Sequence, residues 1–186
     1  MEYGKVTGVE KDVSRLCQGT DMIGSSRLDK SLAILDAAFE QGINCFDCAH
    51  IYGADGDNEK TFAKWVHSRG VRDKVVLFDK VTHPIADNDR ITPEWIAKEI
   101  DISLDRLQFD PIEVLALHRD DPHRPAGEIF DVLNEYHNAG KIGGFGGSNR
   151  LSGIPKSYAR FMELPANYAL PVSLSEIPAA STSSIL

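Results

Sequence analysis

The sequence is short of cysteine, of basic residues and of long apolar runs, and each shortage closes a class of function. Three cysteines occur, Cys17, Cys45 and Cys48, too few for a disulfide framework. Cys45 and Cys48 form a C-x-x-C, a spacing met in redox and zinc sites. Residues three apart on a strand point to opposite faces, however, and no second cysteine pair completes a zinc site, so plain buried thiols and no bound metal are expected. Lys and Arg number 20 against 28 Asp and Glu, a formal charge of -8 with no basic block, which argues against a nucleic-acid partner. No apolar stretch has the length of a signal or a bilayer span, so no membrane partner is expected and the default compartment is cytoplasmic. No motif speaks to oligomeric state.

What remains is the composition of a globular chain, 42% hydrophobic and 26% charged over 186 residues. Met1 to Lys11, punctuated by Gly4 and Gly8, predicts a small hairpin, and Val13 to Ile23 a first strand breaking at Gly19. Ser25 or Ser26 is expected to cap a helix with Leu28, Leu32, Leu35 and Phe39 on one face and Gly42 at its stop. A second strand starts at Ile43. Further helices are expected over Asn58 to Arg69, from the Thr92 cap with Pro93 at its first position, and from Ala126 to Asn138. Further strands are expected at Lys74 to Val81, Ile112 to Leu117 and Lys141 to Asn149.

Strand then helix recurs with a period of about 30 residues, the rhythm of a parallel (β/α) architecture. Asp47, Tyr52, Lys80, His118, Ser148 and Asn149 all fall at or just past strand C-termini, and in such folds those ends share one face. The stretch INCFDCAHIYG, Ile43 to Gly53, is the centre of this pattern: a buried strand running out into titratable side chains. A lysine beside Tyr52 is expected to favour its phenolate, and a carboxylate at Asp47 to keep that lysine charged. Such a tyrosine can protonate a carbonyl oxygen while hydride reaches the carbon. His50 and His83 read as loop or surface histidines. Asp120 and Asp121, in HRDDP, read as a solvated turn rather than metal ligands, with Arg119 beside them. A phosphate site at Gly143 to Gly147 is disfavoured because no capped helix or P-loop lysine follows.

In this order VSRLCQGT, FEQGINCFDCAHIYG, LFDKV, LALHRDDP and GGFGGSN resemble the aldo-keto reductases, enzymes built on a (β/α)8 TIM barrel. The resemblance implies reduction of an aldehyde or ketone, a small carbonyl substrate, by NADP(H), with NAD(H) as the other choice. It implies a tetrad of Asp47, Tyr52, Lys80 and His118 with Tyr52 as general acid. Ser148 and Asn149 would hold the nicotinamide carboxamide, with Thr20, Asp21 and Asp47 near the cofactor.

The likeness covers residues 1–150. From Leu151 to Leu186 the sequence carries Pro155, Pro165, Pro171 and Pro178 and ends AASTSSIL, an irregular Pro/Ser-rich tail with no credible further strands. The expectation is therefore an incomplete barrel of about five βα units, followed by a tail whose sequence fits an out-of-frame reading. On that footing a catalytically inactive remnant, or an interaction protein presenting an exposed strand edge, stands as the alternative to an active reductase.

Overall fold

The structure, a computed structural model, describes residues 1–84, 91–119, 121 and 124–147. The chain opens with a hairpin in which β1 (Tyr3–Gly4) and β2 (Val13–Ser14) pair antiparallel. The hairpin therefore runs beyond Lys11 and takes up Val13 and Ser14, which the sequence pattern assigns to the first barrel strand. That strand, β3, is only Cys17–Gly19. It is followed by α1 (Leu28–Glu40), β4 (Cys45–Asp47), α2 (Asp57–Arg69), β5 (Val76–Val81), α3 (Pro93–Leu107), β6 (Ile112–Leu117), α4 (Ala126–Asn138) and β7 (Ile142–Gly147). Strands β3 to β7 form one parallel sheet in sequential order. This is the α/β architecture of a TIM-type barrel, with five of the eight strands that close one among the described residues.

Helix starts and stops follow local chemistry. The Thr92 hydroxyl accepts from the Trp95 N–H at 3.2 Å, with Pro93 in the first turn, as expected. Neither serine caps α1. Ser25 to Arg27 form a 3-10 turn, Arg27 takes the cap position without a side-chain bond, and the Ser25 N–H donates instead to Asp57 Oδ2 at 2.8 Å. The turn before α1 is thus held by the start of α2, a tertiary contact that outweighs serine's local preference.

Alternation along β5 divides the core. Leu77 and Val81 face the helices with Leu35, Phe46, Phe62, Trp65, Ile100 and Leu115. Phe46 stacks at 5.1 Å from Trp65 and 5.4 Å from Phe62, and burying each such ring stabilises the fold by about 1.5–3 kcal/mol. Val76 faces inward, packed with Cys45 and Val114 against Val9 and Val13 of the hairpin. The hairpin thereby plugs the N-terminal mouth of the sheet. Buried Glu113 fastens it, pairing with Lys11 at 2.6 Å and Arg72 at 2.7 Å while accepting the Leu77 N–H at 2.9 Å.

The plug sits against bare backbone. A Cβ on Gly143 would lie 2.5 Å from the Glu113 carbonyl oxygen and 2.7 Å from that of Gly8, and neither main chain can swing aside as a side chain would. Gly143→Ala is expected to destabilise the chain by about 1–3 kcal/mol, the usual cost of overpacking, read as a lowered midpoint in urea unfolding. An unchanged midpoint would show that the hairpin is not seated there.

Candidate active site

Four candidate side chains meet at the C-terminal ends of the strands. Asp47 is the last residue of β4, Lys80 lies one residue before the end of β5, and His118 directly follows β6. Tyr52 is on the loop after β4. Main-chain bonds carry the sheet a step past its formal ends: Cys48 N–H to Phe78 O, His50 N–H to Lys80 O and His118 N–H to Val81 O, each 2.8 Å. Two of them bind the 48–50 segment to β5, and the Tyr52 N–H closes a turn onto Ala49 O at 2.9 Å. This stitching sets the Tyr52 ring over Lys80, whose Nζ lies 5.1 Å from the ring centroid.

Lys80 is buried and forms an ion pair with Asp47 Oδ1, while donating to Cys48 O at 2.9 Å. Burial brings its ammonium down to about 8, against the pull of Cys17 and Asp21 toward the charged form. His118 is also buried and is lowered to about 4, first by burial and then by Lys80, His83 and Arg119, so its imidazole is neutral at neutral pH. Its ring meets that of Tyr52 edge-on at 6.1 Å. The Tyr52 phenol departs from expectation. Burial, with Asp21 next, pushes it above its ordinary value, because the ammonium faces the ring rather than standing as the dominant neighbour of the hydroxyl. The tyrosine is therefore a firmly protonated donor, and Asp47 and Lys80 form the charged base beneath it.

Thr20 and Asp21, expected near a cofactor, take different parts. Thr20 is fully buried, its hydroxyl within hydrogen-bonding distance of Asp47 O (2.8 Å), Cys48 Sγ and Asn58 Oδ1 (3.2 Å each), and Asn58 Nδ2 donates to its carbonyl. It braces β3 against β4 and leaves no open side-chain atom for a ligand. Asp21 is exposed and lies within electrostatic reach of both Tyr52 and Lys80. Ser148 and Asn149 lie outside the described residues, as do Asp120 and the whole of 151–186.

Two histidines read as peripheral belong to this region. His83 is half-buried and packs edge-on against His118 with ring centroids 4.7 Å apart, brought there by Thr82, whose φ of 63° turns the chain sharply after β5. His50 is half-buried too, with Nδ1 at 3.2 Å from Ser103 Oγ and its carbonyl accepting from Arg106 at 3.0 Å. Phe78, whose ring lies 5.4 Å from Lys80 Nζ, shares the inner face of β5 with that lysine. Its even spacing from Lys80 was the one signal that placed it there. Among the described residues no group of three or more potential ligands is arranged to hold a metal.

The C-terminal ends of these parallel strands gather a phenol, a buried ammonium, a carboxylate and a neutral imidazole, at the end of the sheet where (β/α) barrels place their sites. The chain belongs to the aldo/keto reductase family, whose sequence profile matches residues 15–156, a little past Asn149. It is 37% identical over 161 residues to the uncharacterized oxidoreductase YrpG of Bacillus subtilis, covering 80% of this chain and 49% of that protein. It is 33% identical over 157 residues to the aldo-keto reductase YhdN of the same organism, covering 80% and 47%. The fold is similar to that of the aldo-keto reductase AKR11C1 from Bacillus halodurans in its holo form, with a TM-score of 0.72 at 26% identity, over 87% of this chain and 54% of that one. The chain thus spans about half the length of the relatives it matches.

Proposed function

We propose that this chain carries the proton-delivering half of an NAD(P)H-dependent carbonyl reductase. The observation that carries the reading is the Asp47–Lys80 ion pair beneath Tyr52, with neutral His118 edge-on to the same ring. A bound nicotinamide supplies hydride to the carbonyl carbon. Tyr52 gives its proton to the carbonyl oxygen, and the Lys80 ammonium stabilises the phenolate left behind. The ion pair with Asp47 holds that ammonium in place beneath the ring. His118, uncharged, orients the carbonyl oxygen by a hydrogen bond. The open side of the site fits a cofactor: Gly19 has free space where a Cβ would stand, and Asp21 and Asp47 remain accessible beside it. Ser148 and Asn149 would hold the carboxamide, on the strength of the family resemblance, and NADP(H) is preferred to NAD(H) on the same ground.

Fluorescence titration with NADPH, followed by turnover of a panel of aldehydes and ketones, tests the proposal. Saturable binding is expected. Tyr52→Phe should lower kcat by about 10²–10⁴-fold, the contribution of a positioned general acid, with the cofactor Kd unchanged. Absence of binding at millimolar cofactor, or wild-type turnover by Tyr52→Phe, sinks it. The reading that then gains is a non-catalytic one using a strand edge, since among the described residues β3 and β7 each pair on one side only.

A further inference from the structure

The C-x-x-C of the sequence is not the cysteine pair of the fold. Cys48 packs on the helix side, against Phe46 and Leu77 among others, with the Thr20 hydroxyl 3.2 Å from its sulfur. Cys45 faces the other way, into the cluster of Val9, Val13, Val76 and Val114. Its partner is Cys17. The two are directly opposite each other in the parallel pairing of β3 and β4, with Sγ atoms 3.2 Å apart.

We propose that Cys17 and Cys45 are a redox-modifiable dithiol, oxidised by a hydroperoxide to a disulfide that joins β3 to β4. Neighbouring strands run about 4.7–4.9 Å apart, and a disulfide spans Cα separations of about 4.4–6.8 Å, so the bond closes with a side-chain rotation and little main-chain movement. Cys17 is exposed and Cys45 buried, which assigns the order of events. The Cys17 thiolate attacks the peroxide oxygen, the O–O bond breaks, and the departing hydroxide takes a proton to leave as water. Cys17 is then a sulfenic acid. The Cys45 sulfur attacks the Cys17 sulfur, the S–O bond breaks, and the hydroxide released carries off the Cys45 proton as a second water. The two thiols have lost two electrons and two protons, and the peroxide has been reduced to water.

The hydrogen bond with Cys45 pushes Cys17 well above the ordinary thiol range although the residue is exposed, so the reaction is slow at neutral pH and quickens as pH rises. The site above the pair feels the change. Further along the same pairing stand Gly19 and Asp47, and Cys17 and Lys80 influence each other's ionisation. Tying β3 to β4 draws on the strand that ends in Asp47. This inference does not rest on the proposed reductase activity, and its test does not use that activity.

The full chain is held with excess hydrogen peroxide at pH 7 and pH 9, alkylated under denaturing conditions, digested and mapped by mass spectrometry without reduction. The expected result is a fall from three free thiols to one, faster at pH 9, with a cross-linked peptide lighter by two hydrogens. Fragmentation should place the bond at Cys17 and Cys45, with Cys48 alkylated. Cys48→Ser should keep the cross-link and Cys45→Ser should lose it. Because Cys45 and Cys48 are resolved by fragmentation of the unmutated chain, the result does not depend on either variant folding. A bond that uses Cys48, a cross-link between two chains, or sulfinic acid at Cys17 without any cross-link overturns the proposal.

Discussion

Arg106→Leu is expected to destabilise the chain by about 3–5 kcal/mol, the cost of leaving a buried charge without its partner. Arg106 reaches from α3 to Glu59 on α2, Nη1 to Oε2 at 2.6 Å, and Glu59 has no solvent exposure at all. The same nitrogen donates to His50 O at 3.0 Å and approaches His50 Nδ1 at 3.3 Å. Gly56 completes the socket: a Cβ there would collide with the guanidinium, so the turn between His50 and α2 closes on Arg106 only because that position is glycine. Tyr52 lies inside this turn, so the arginine positions the phenol from behind without touching it. A loss of this size is a large fraction of the about 5–15 kcal/mol that holds an ordinary domain together. The companion variant separates charge from packing. Arg106→Leu combined with Glu59→Gln removes both charges and keeps an amide beside buried Asp79, so the double variant should recover part of the loss in urea unfolding. A single variant that unfolds like the parent, or a double variant no better than the single, contradicts this account.

Much of that arrangement was legible in the sequence at the level of elements and strand ends. β6 and α4 occupy the stretches that apolar run and helical spacing mark, Ile112–Leu117 and Ala126–Asn138, and the Thr92–Pro93 start is realised atom by atom. Asp47, Lys80 and His118 converge because parallel strands share one C-terminal face, a consequence of topology rather than of any contact readable along the chain. What escaped were pairings across elements. The serines before α1 do not cap it, because the turn they form is held by Asp57, which lies 32 residues beyond Ser25 in sequence. Cys45 pairs with Cys17 rather than with its near neighbour because register, not spacing, decides which side chains meet. The Tyr52 ionisation was anticipated in the wrong direction, since burial is a property of the folded loop and here it outweighs a nearby charge. Arg106 and Glu59 carry no signal of their partnership: each is an ordinary charged residue on an ordinary amphipathic helix until α2 and α3 are packed together.

The residue behind Lys80 gives the second large effect. Asp79 faces the helix side of β5 and is fully buried; neither of its carboxyl oxygens has a well-formed hydrogen bond from an ordinary donor, and Glu59 Oε1 is equally without one. A proton shared between the two carboxyls satisfies both. Burial first, then the charge of Glu59 and the hydrogen bond to it, push Asp79 well above the carboxylate range; the Lys80 backbone and Ser103 act weakly the other way. Its folded pKa therefore exceeds its unfolded value of about 3.9. For a group raised in this sense, the stability of the protonated form is fully present below the unfolded pKa and is lost as pH climbs toward the folded one. The loss runs at about 1.4 kcal/mol per pH unit across that window. In the variant Asp79→Asn the side-chain amide keeps an N–H to donate to Glu59 and an oxygen toward Ser103, yet does not titrate. This variant is accordingly expected to be more stable than the parent at pH 7. The advantage should shrink steadily as pH falls toward 4. Subtracting the two unfolding curves, measured in urea between pH 4 and pH 8, cancels His118 and the other titrating groups that do not interact with Asp79, so a difference that stays flat with pH would show that Asp79 ionises freely in the fold.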